Sequence, residues 1–302
     1  MRRPRRGGRR PGWAFQLVLG AALLALGWGS SLADLQPFAR YWFQLTWGGW
    51  ILTVDALVLA RTGRSLLRDA PARMAALSAL SAGFWWLFEF LNWHLENWVY
   101  EGDQIFGPVS GVVLKTLAFA TVLPALAEVR DLLRSFLPGL GPDPEPLPAA
   151  RVRRAAGWMI AIGLAGALGL WLFPRQAFPL VWVSPFLLLD AVAALRGRVS
   201  AIGAVLAGRV APVLLIMAAG LVTGVLWELW NWGADPHWEY QVPYVGFWKV
   251  FEMPLLGYGG YLPFALTADA AIRALLGGRG ELTSAPLTDL GGPAGIAPHT
   301  RA

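Results

Sequence analysis

Apolar residues along this chain gather into eight long runs separated by short polar or arginine-bearing breaks. The runs cover approximately 13–33, 38–60, 74–96, 105–128, 155–173, 177–195, 210–233 and 246–275. Each is near the ~20 residues a helix needs to cross the hydrocarbon core of a bilayer. The last contains Pro254 and Pro263, which predicts a kink or a broken helix, because proline cannot donate to the helical ladder. The pattern reads as an all-α, polytopic helical membrane protein with about eight transmembrane helices.

The breaks predict its orientation. Arg2, Arg3, Arg5, Arg6, Arg9 and Arg10 precede the first run, and Arg61, Arg64, Arg68 and Arg73 follow the second. Arg130, Arg134, Arg151, Arg153 and Arg154 flank the middle of the chain, and Arg196, Arg198 and Arg209 follow the sixth run. If eight helices alternate, all of these fall on one side, which the positive-inside rule makes cytoplasmic, with both termini inside. The opposite loops carry Glu96, Glu101, Asp103, Asp235 and Glu239, with Arg40 and Arg175 as the basic exceptions. Localisation in the cell (inner) membrane follows. The first run also admits a signal-peptide reading, with Ser31-Leu32-Ala33 as a small-x-small cleavage site.

The two halves of the chain match. Glu89-x-x-Asn92-Trp93 corresponds to Glu228-x-x-Asn231-Trp232, and Trp98-Val99-Tyr100 to Trp238-Glu239-Tyr240. Leu123-Pro124 corresponds to Leu262-Pro263, and Asp55, six residues before Arg61, to Asp190, six before Arg196. The expected organisation is a basic tail at 1–12, a four-helix repeat at 13–134, a cytoplasmic linker at 135–152, a second four-helix repeat at 153–276 and a disordered tail at 277–302. Four helices per repeat give both copies the same orientation, as in parallel internal repeats.

Charged groups inside apolar helices mark the candidate site, because such groups are expensive at membrane depth. Glu89 and Asn92, like Glu228 and Asn231, are three apart and share a helix face. If the halves pack about a two-fold axis, two carboxylates and two amides would meet in one cavity, an arrangement suited to general-acid chemistry, proton coupling or cation binding. The bland alternative is that each glutamate locks packing within its own half. The two lysines, Lys115 and Lys249, both fall in predicted membrane segments as natural partners for the glutamates, with Lys249 and Glu252 three apart on one helix. Glu252 has no acidic counterpart in the first half, where Val113 stands, so the second half is the expected working half. Asp55 and Asp190 are expected to pair with loop arginines or to cap neighbouring helices.

Composition narrows the classes. With 56% hydrophobic and 15% charged residues and a mean hydropathy of +0.49, the chain is not an ordinary soluble domain. Absence of cysteine excludes disulfides, thiolate catalysis and cysteine-ligated metals. The net charge of +6 is placed for topology, so no nucleic-acid partner is expected. His94, His237 and His299 show no ligand spacing, and no metal is expected. The 17 tryptophans fit interfacial belts, and those near the glutamates also suit a pocket for an isoprenoid, polyene or sterol-like ligand. Trp93, Trp98, Trp232, Trp238 and Tyr240, with Lys115 and Lys249, are the candidate substrate-binding residues.

Trp227-Glu228, then Trp238-Glu239-Tyr240, then Phe251-Glu252-Met253-Pro254-Leu255 resembles the integral-membrane lycopene cyclase domains of carotenoid synthesis. Those domains are also duplicated helical bundles. This chain has Glu where that family has Asp, and Phe-Glu-Met-Pro where proline precedes the acids. The resemblance implies an enzyme acting on a membrane-dissolved isoprenoid, with Glu228 and Glu252 as proton donors, Asn231 orienting Glu228, and Glu89 and Asn92 in support. The alternatives are a proton- or cation-coupled transporter with the paired glutamates as its site, or a structural membrane protein. Membrane lipid is an expected partner, and no cofactor is named by any motif.

Overall fold

The computed structural model describes residues 12–102, 105–137, 148–198 and 200–277. The expected basic tail, most of the linker and nearly all of the C-terminal tail, His299 included, lie outside the described residues. Helices dominate: α1 (Gly12–Leu32), α2 (Trp42–Thr62), α3 (Leu66–Asp69), α4 (Pro71–Leu95), α5 (Pro108–Phe119), α6 (Val122–Ser135), α7 (Ala149–Leu172), α8 (Pro174–Ala177), α9 (Leu180–Leu195), α10 (Ala201–Leu206), α11 (Ala211–Trp232) and α12 (Tyr261–Leu275). Among the described residues, six helical stretches are long and apolar enough to cross a membrane: α1, Ala39–Thr62, α4, the α5–α6 stretch, α7 and α11. α9 is a shorter apolar helix.

Local chemistry sets the boundaries. Pro71 and Pro108 occupy first turns, where the missing N–H is no loss. Gly63 closes α2 in the left-handed conformation at φ +80°. The predicted run 105–128 is instead two helices that change course at Ala120–Thr121, and the second continues to Ser135. α7 begins at Ala149, inside the segment expected to be linker.

The largest departure is at 246–275. Only Tyr261–Leu275 is α-helical; ahead of it lie a hairpin of β3 (Lys249–Val250) with β4 (Met253–Pro254) and a 3-10 segment, Leu255–Gly260. Trp248 and Phe251 take positive φ around the hairpin, and Pro254 cannot donate to a helical ladder. Lys249 and Glu252 therefore do not share a helix. They face each other across the hairpin turn, 3.4 Å apart and partly exposed.

Packing is layered by neighbours. α1 lies along α2 and α7 along α9; α6 packs on α2, α4 and α11, and α12 on α9, α11 and α4. The core between them is aromatic, with Phe84, Phe88, Trp182, Trp227 and Phe264 in mutual ring contact. At the arginine end, Asp55 accepts the Leu67 N–H at 2.9 Å and Asp190 accepts those of Ala201 and Ile202 at 2.8 and 3.0 Å. Both aspartates thus cap the first turn of a short helix, α3 or α10, the second of the two roles expected for them. Arg73, Arg196 and Arg198 donate to the carbonyls of Leu276, Ala274 and Arg273, satisfying the C-terminal end of α12.

Candidate functional site

At the end opposite the arginines, β1 (Trp98–Glu101) and β2 (His237–Tyr240) form an antiparallel ribbon in which Trp98 faces Tyr240 and Tyr100 faces Trp238. Each strand is tied to the end of a long helix by an asparagine. Asn92 donates from Nδ2 to the Trp98 carbonyl at 2.7 Å, and its Oδ1 accepts the N–H groups of Asn97 and Trp98 at 2.8 and 3.1 Å. Asn231 donates to the Trp238 carbonyl at 2.7 Å and accepts the Trp238 N–H at 2.8 Å. The Glu-x-x-Asn spacing therefore fixes a strand one helical turn above each glutamate. Neither asparagine hydrogen-bonds to its glutamate; Asn92 and Asn231 hold the strands.

The strands return tyrosines to the carboxyls. Glu89 Oε1 accepts from Tyr100 Oη at 2.7 Å, Trp85 Nε1 at 3.0 Å and Trp98 Nε1 at 3.3 Å. Glu228 Oε1 accepts from Tyr240 Oη at 2.8 Å and from Tyr261 Oη. Glu228 is fully buried, and its Oε2 has no hydrogen-bond partner among the described residues. The two carboxyls do not share one cavity, because the tyrosine of its own half takes up each of them. Burial, reinforced by the neighbouring glutamate, holds the Tyr100 and Tyr240 hydroxyls well above the ordinary range near 10. Both act as neutral donors.

Two cavities flank the ribbon, one of about 920 Å³ and one of about 1050 Å³, each including its open mouth. Trp85, Tyr100, Trp238, Tyr240 and Tyr261 line both. The first adds Phe43, Phe119, Trp227 and Lys115, whose ammonium lies 4.0 Å over the Tyr100 ring. The second adds Asn97, Trp98, Trp182, Met253 and Phe264. Neither carboxyl lines either cavity; their tyrosine partners do.

Of the candidate residues, Trp98, Trp238, Tyr240 and Lys115 are brought to this chamber. Trp93 and Trp232 are not: they are 77% and 61% exposed on the outer surface, where an interfacial belt would sit. Lys249 and Glu252 stay on the hairpin, outside both linings. Trp85 and Tyr100 belong to the aromatics that crowd the glutamates in the sequence, Tyr100 in the Trp-x-Tyr element matched between the halves, but neither is among the candidate binding residues; Tyr261 carries no signal in the sequence. Among the described residues no group of three or more His, Asp and Glu side chains is placed to hold a metal ion. Compared with known proteins, the chain matches no family model, no curated protein and no solved structure.

Proposed function

We propose that the chain is an intramembrane enzyme that performs acid–base chemistry on an unsaturated isoprenoid or similar lipid held against the tyrosine-bearing ribbon. The observation that carries this reading is the tyrosine pair on Glu228: Tyr240 and Tyr261 bond a buried carboxyl on one side and line two apolar cavities on the other. In the reacting form Glu228 is the neutral acid and the hydrogen bond is reversed, its O–H donating to the Tyr240 oxygen while the tyrosine O–H turns to the cavity. The Glu228 proton then moves to the tyrosine oxygen as the tyrosine proton passes to an alkene carbon, forming a C–H bond and leaving a carbocation and a carboxylate. Return of a proton from a neighbouring carbon by the reverse relay restores both groups. The ring faces of Trp85, Trp98, Trp227 and Trp238 stabilise the cation without offering it a nucleophile. Asn92 and Asn231 position the strands, and Glu89 with Tyr100 forms the corresponding pair of the first half. The resemblance to lycopene cyclase domains points to the same substrate class. Neither cavity touches Asp55 or Asp190, which favours chemistry in a pocket over a polar route between the ends.

The reading includes a tandem duplication lying in a cell membrane, with the arginine end cytoplasmic. Its support is the pair of asparagine clamps, the pair of aspartate caps and the exchange of Trp98 with Tyr240 and Tyr100 with Trp238 across the ribbon. Such a register is what two copies related by an axis along the membrane normal would give.

The test compares wild type with Glu228→Gln and Tyr240→Phe, each purified in mild detergent and incubated with a total isoprenoid extract. Mass spectrometry is expected to show an isomerised or cyclised product only with wild type, while near-UV dichroism shows both variants folded. Identical product profiles from all three proteins would overturn the reading.

A further inference from the structure

The second cavity holds one polar side chain that is not aromatic, Asn97. It is 3% exposed, and its Oδ1 is buried without a hydrogen-bond partner among the described residues. An unmade hydrogen bond to a buried amide oxygen is destabilising by about 1–3 kcal/mol, so such atoms are rare in a folded chain. The local backbone does not require this residue type. Asn97 contributes its own N–H to Asn92 and its carbonyl to the Gln241 N–H at 2.8 Å, and any residue could supply both. The amide is therefore not committed to the fold; its Oδ1 is covered in this arrangement, and a turn of the amide about χ2 presents it to what enters the cavity.

We infer that the second cavity binds an apolar ligand carrying a hydroxyl group, and that Asn97 is the residue that recognises the hydroxyl. A primary amide offers both an acceptor and a donor, and a hydroxyl is the small group that matches both. The match holds in either orientation of the amide. The other walls, including Phe178, Trp182, Met253 and Leu256, suit a hydrocarbon chain, and the volume of about 1050 Å³ suits a ligand of lipid or isoprenoid size. Among the described residues no charged side chain lines this cavity, so an ionic head group finds no partner there among them. The first cavity differs in having Arg40, Lys115 and Asp235 in its lining. The inference rests on the apolar-ligand part of the proposed function and not on its chemistry.

The test measures binding to the full chain in detergent by quenching of tryptophan fluorescence. The probes are a linear isoprenoid alcohol, its methyl ether and the hydrocarbon of the same carbon skeleton. Wild type is expected to bind the alcohol about ten-fold more tightly than the hydrocarbon, the equivalent of one well-made hydrogen bond. Asn97→Leu and Asn97→Ala should abolish that preference while keeping hydrocarbon binding within about two-fold. Glu228→Gln should keep the preference, so that loss of catalysis and loss of hydroxyl recognition are read separately. Equal affinity of wild type for alcohol and hydrocarbon, or a preference that survives in both Asn97 variants, would overturn the inference.

Discussion

Gly224 lies directly beneath the ring of Tyr261, leaving no space for a β-carbon. Four residues before Glu228, it allows a tyrosine from α12 to reach the carboxyl. The position four residues before Glu89 is Trp85, whose own indole supplies the donor. Val122, which precedes Leu123-Pro124 as Tyr261 precedes Leu262-Pro263, carries no polar group. One glutamate is thus served by an aromatic on its own helix and the other by an aromatic on the neighbouring helix. Gly224→Ala should force Tyr261 off Glu228 at a cost of about 1–3 kcal/mol. A lowered melting temperature with an altered near-UV dichroism spectrum is expected; an unchanged melting temperature would show that the close approach is dispensable.

The asparagine clamps predict coupling between the halves. Asn92→Ala strips hydrogen bonds from the Trp98 carbonyl and from the N–H groups of Asn97 and Trp98, and Asn231→Ala does the same to Trp238. Each loss should destabilise by about 1–3 kcal/mol. Because Trp98 and Trp238 lie on paired strands, the double variant should deviate from additivity by at least about 0.5 kcal/mol. Chemical denaturation of the four proteins of the cycle measures this; strict additivity would mean that the ribbon does not transmit the loss.

Tyr100 and Tyr240 predict a pH signature. Their hydroxyl pKa values are raised in the folded state, chiefly by burial and then by the adjacent glutamate. The folded form therefore holds these protons where the unfolded chain has released them. This stability is complete below the unfolded value of about 10 and declines as pH rises above it. In a difference titration of phenolate absorbance, wild type minus Tyr100→Phe should show no step in the ordinary tyrosine range. A step near 10 would mean that neither burial nor Glu89 perturbs the Tyr100 hydroxyl.

Much of the chamber was legible as repeated spacing. Glu-x-x-Asn-Trp and Trp-x-Tyr identify the carboxyls, the clamps and the tyrosines, because a helix turn and a strand pair impose fixed separations. The partnership was not legible. Two glutamates on matched helices suggest a carboxyl pair, but the order in which elements lie between them is a tertiary property, and here a ribbon brings Tyr100 and Tyr240 to separate carboxyls. The segment 246–260 misled for another reason. Its apolar residues fit a membrane helix by hydropathy, yet Pro254 and the glycines at 257, 259 and 260 weaken helix formation, and the chain turns through a hairpin. Asn97 gave no signal at all, since a polar residue between a helix and a strand resembles any loop residue.

The arginine end carries the last prediction. Asp269 on α12 is bound by Arg273, with Nη2 at 3.0 Å and a shorter contact from Nε, and by Arg130 of α6 at 3.4 Å. All three side chains are nearly buried, and Arg130 has a second acid, Asp131, at 2.8 Å. Removing one member of a buried ion pair leaves an uncompensated charge, whereas replacing the pair by apolar groups of similar size is often neutral or stabilising. Asp269→Leu alone should therefore destabilise by about 3–5 kcal/mol. The loss should fall on Arg273 more than on Arg130, which keeps Asp131. Asp269→Leu combined with Arg273→Met should recover much of the loss, even though Arg130 still lacks its longer contact. Melting temperatures in one detergent decide it: a double variant no more stable than Asp269→Leu would mean that the α6–α12 contact, and not the Asp269–Arg273 pair, holds this end of the bundle together.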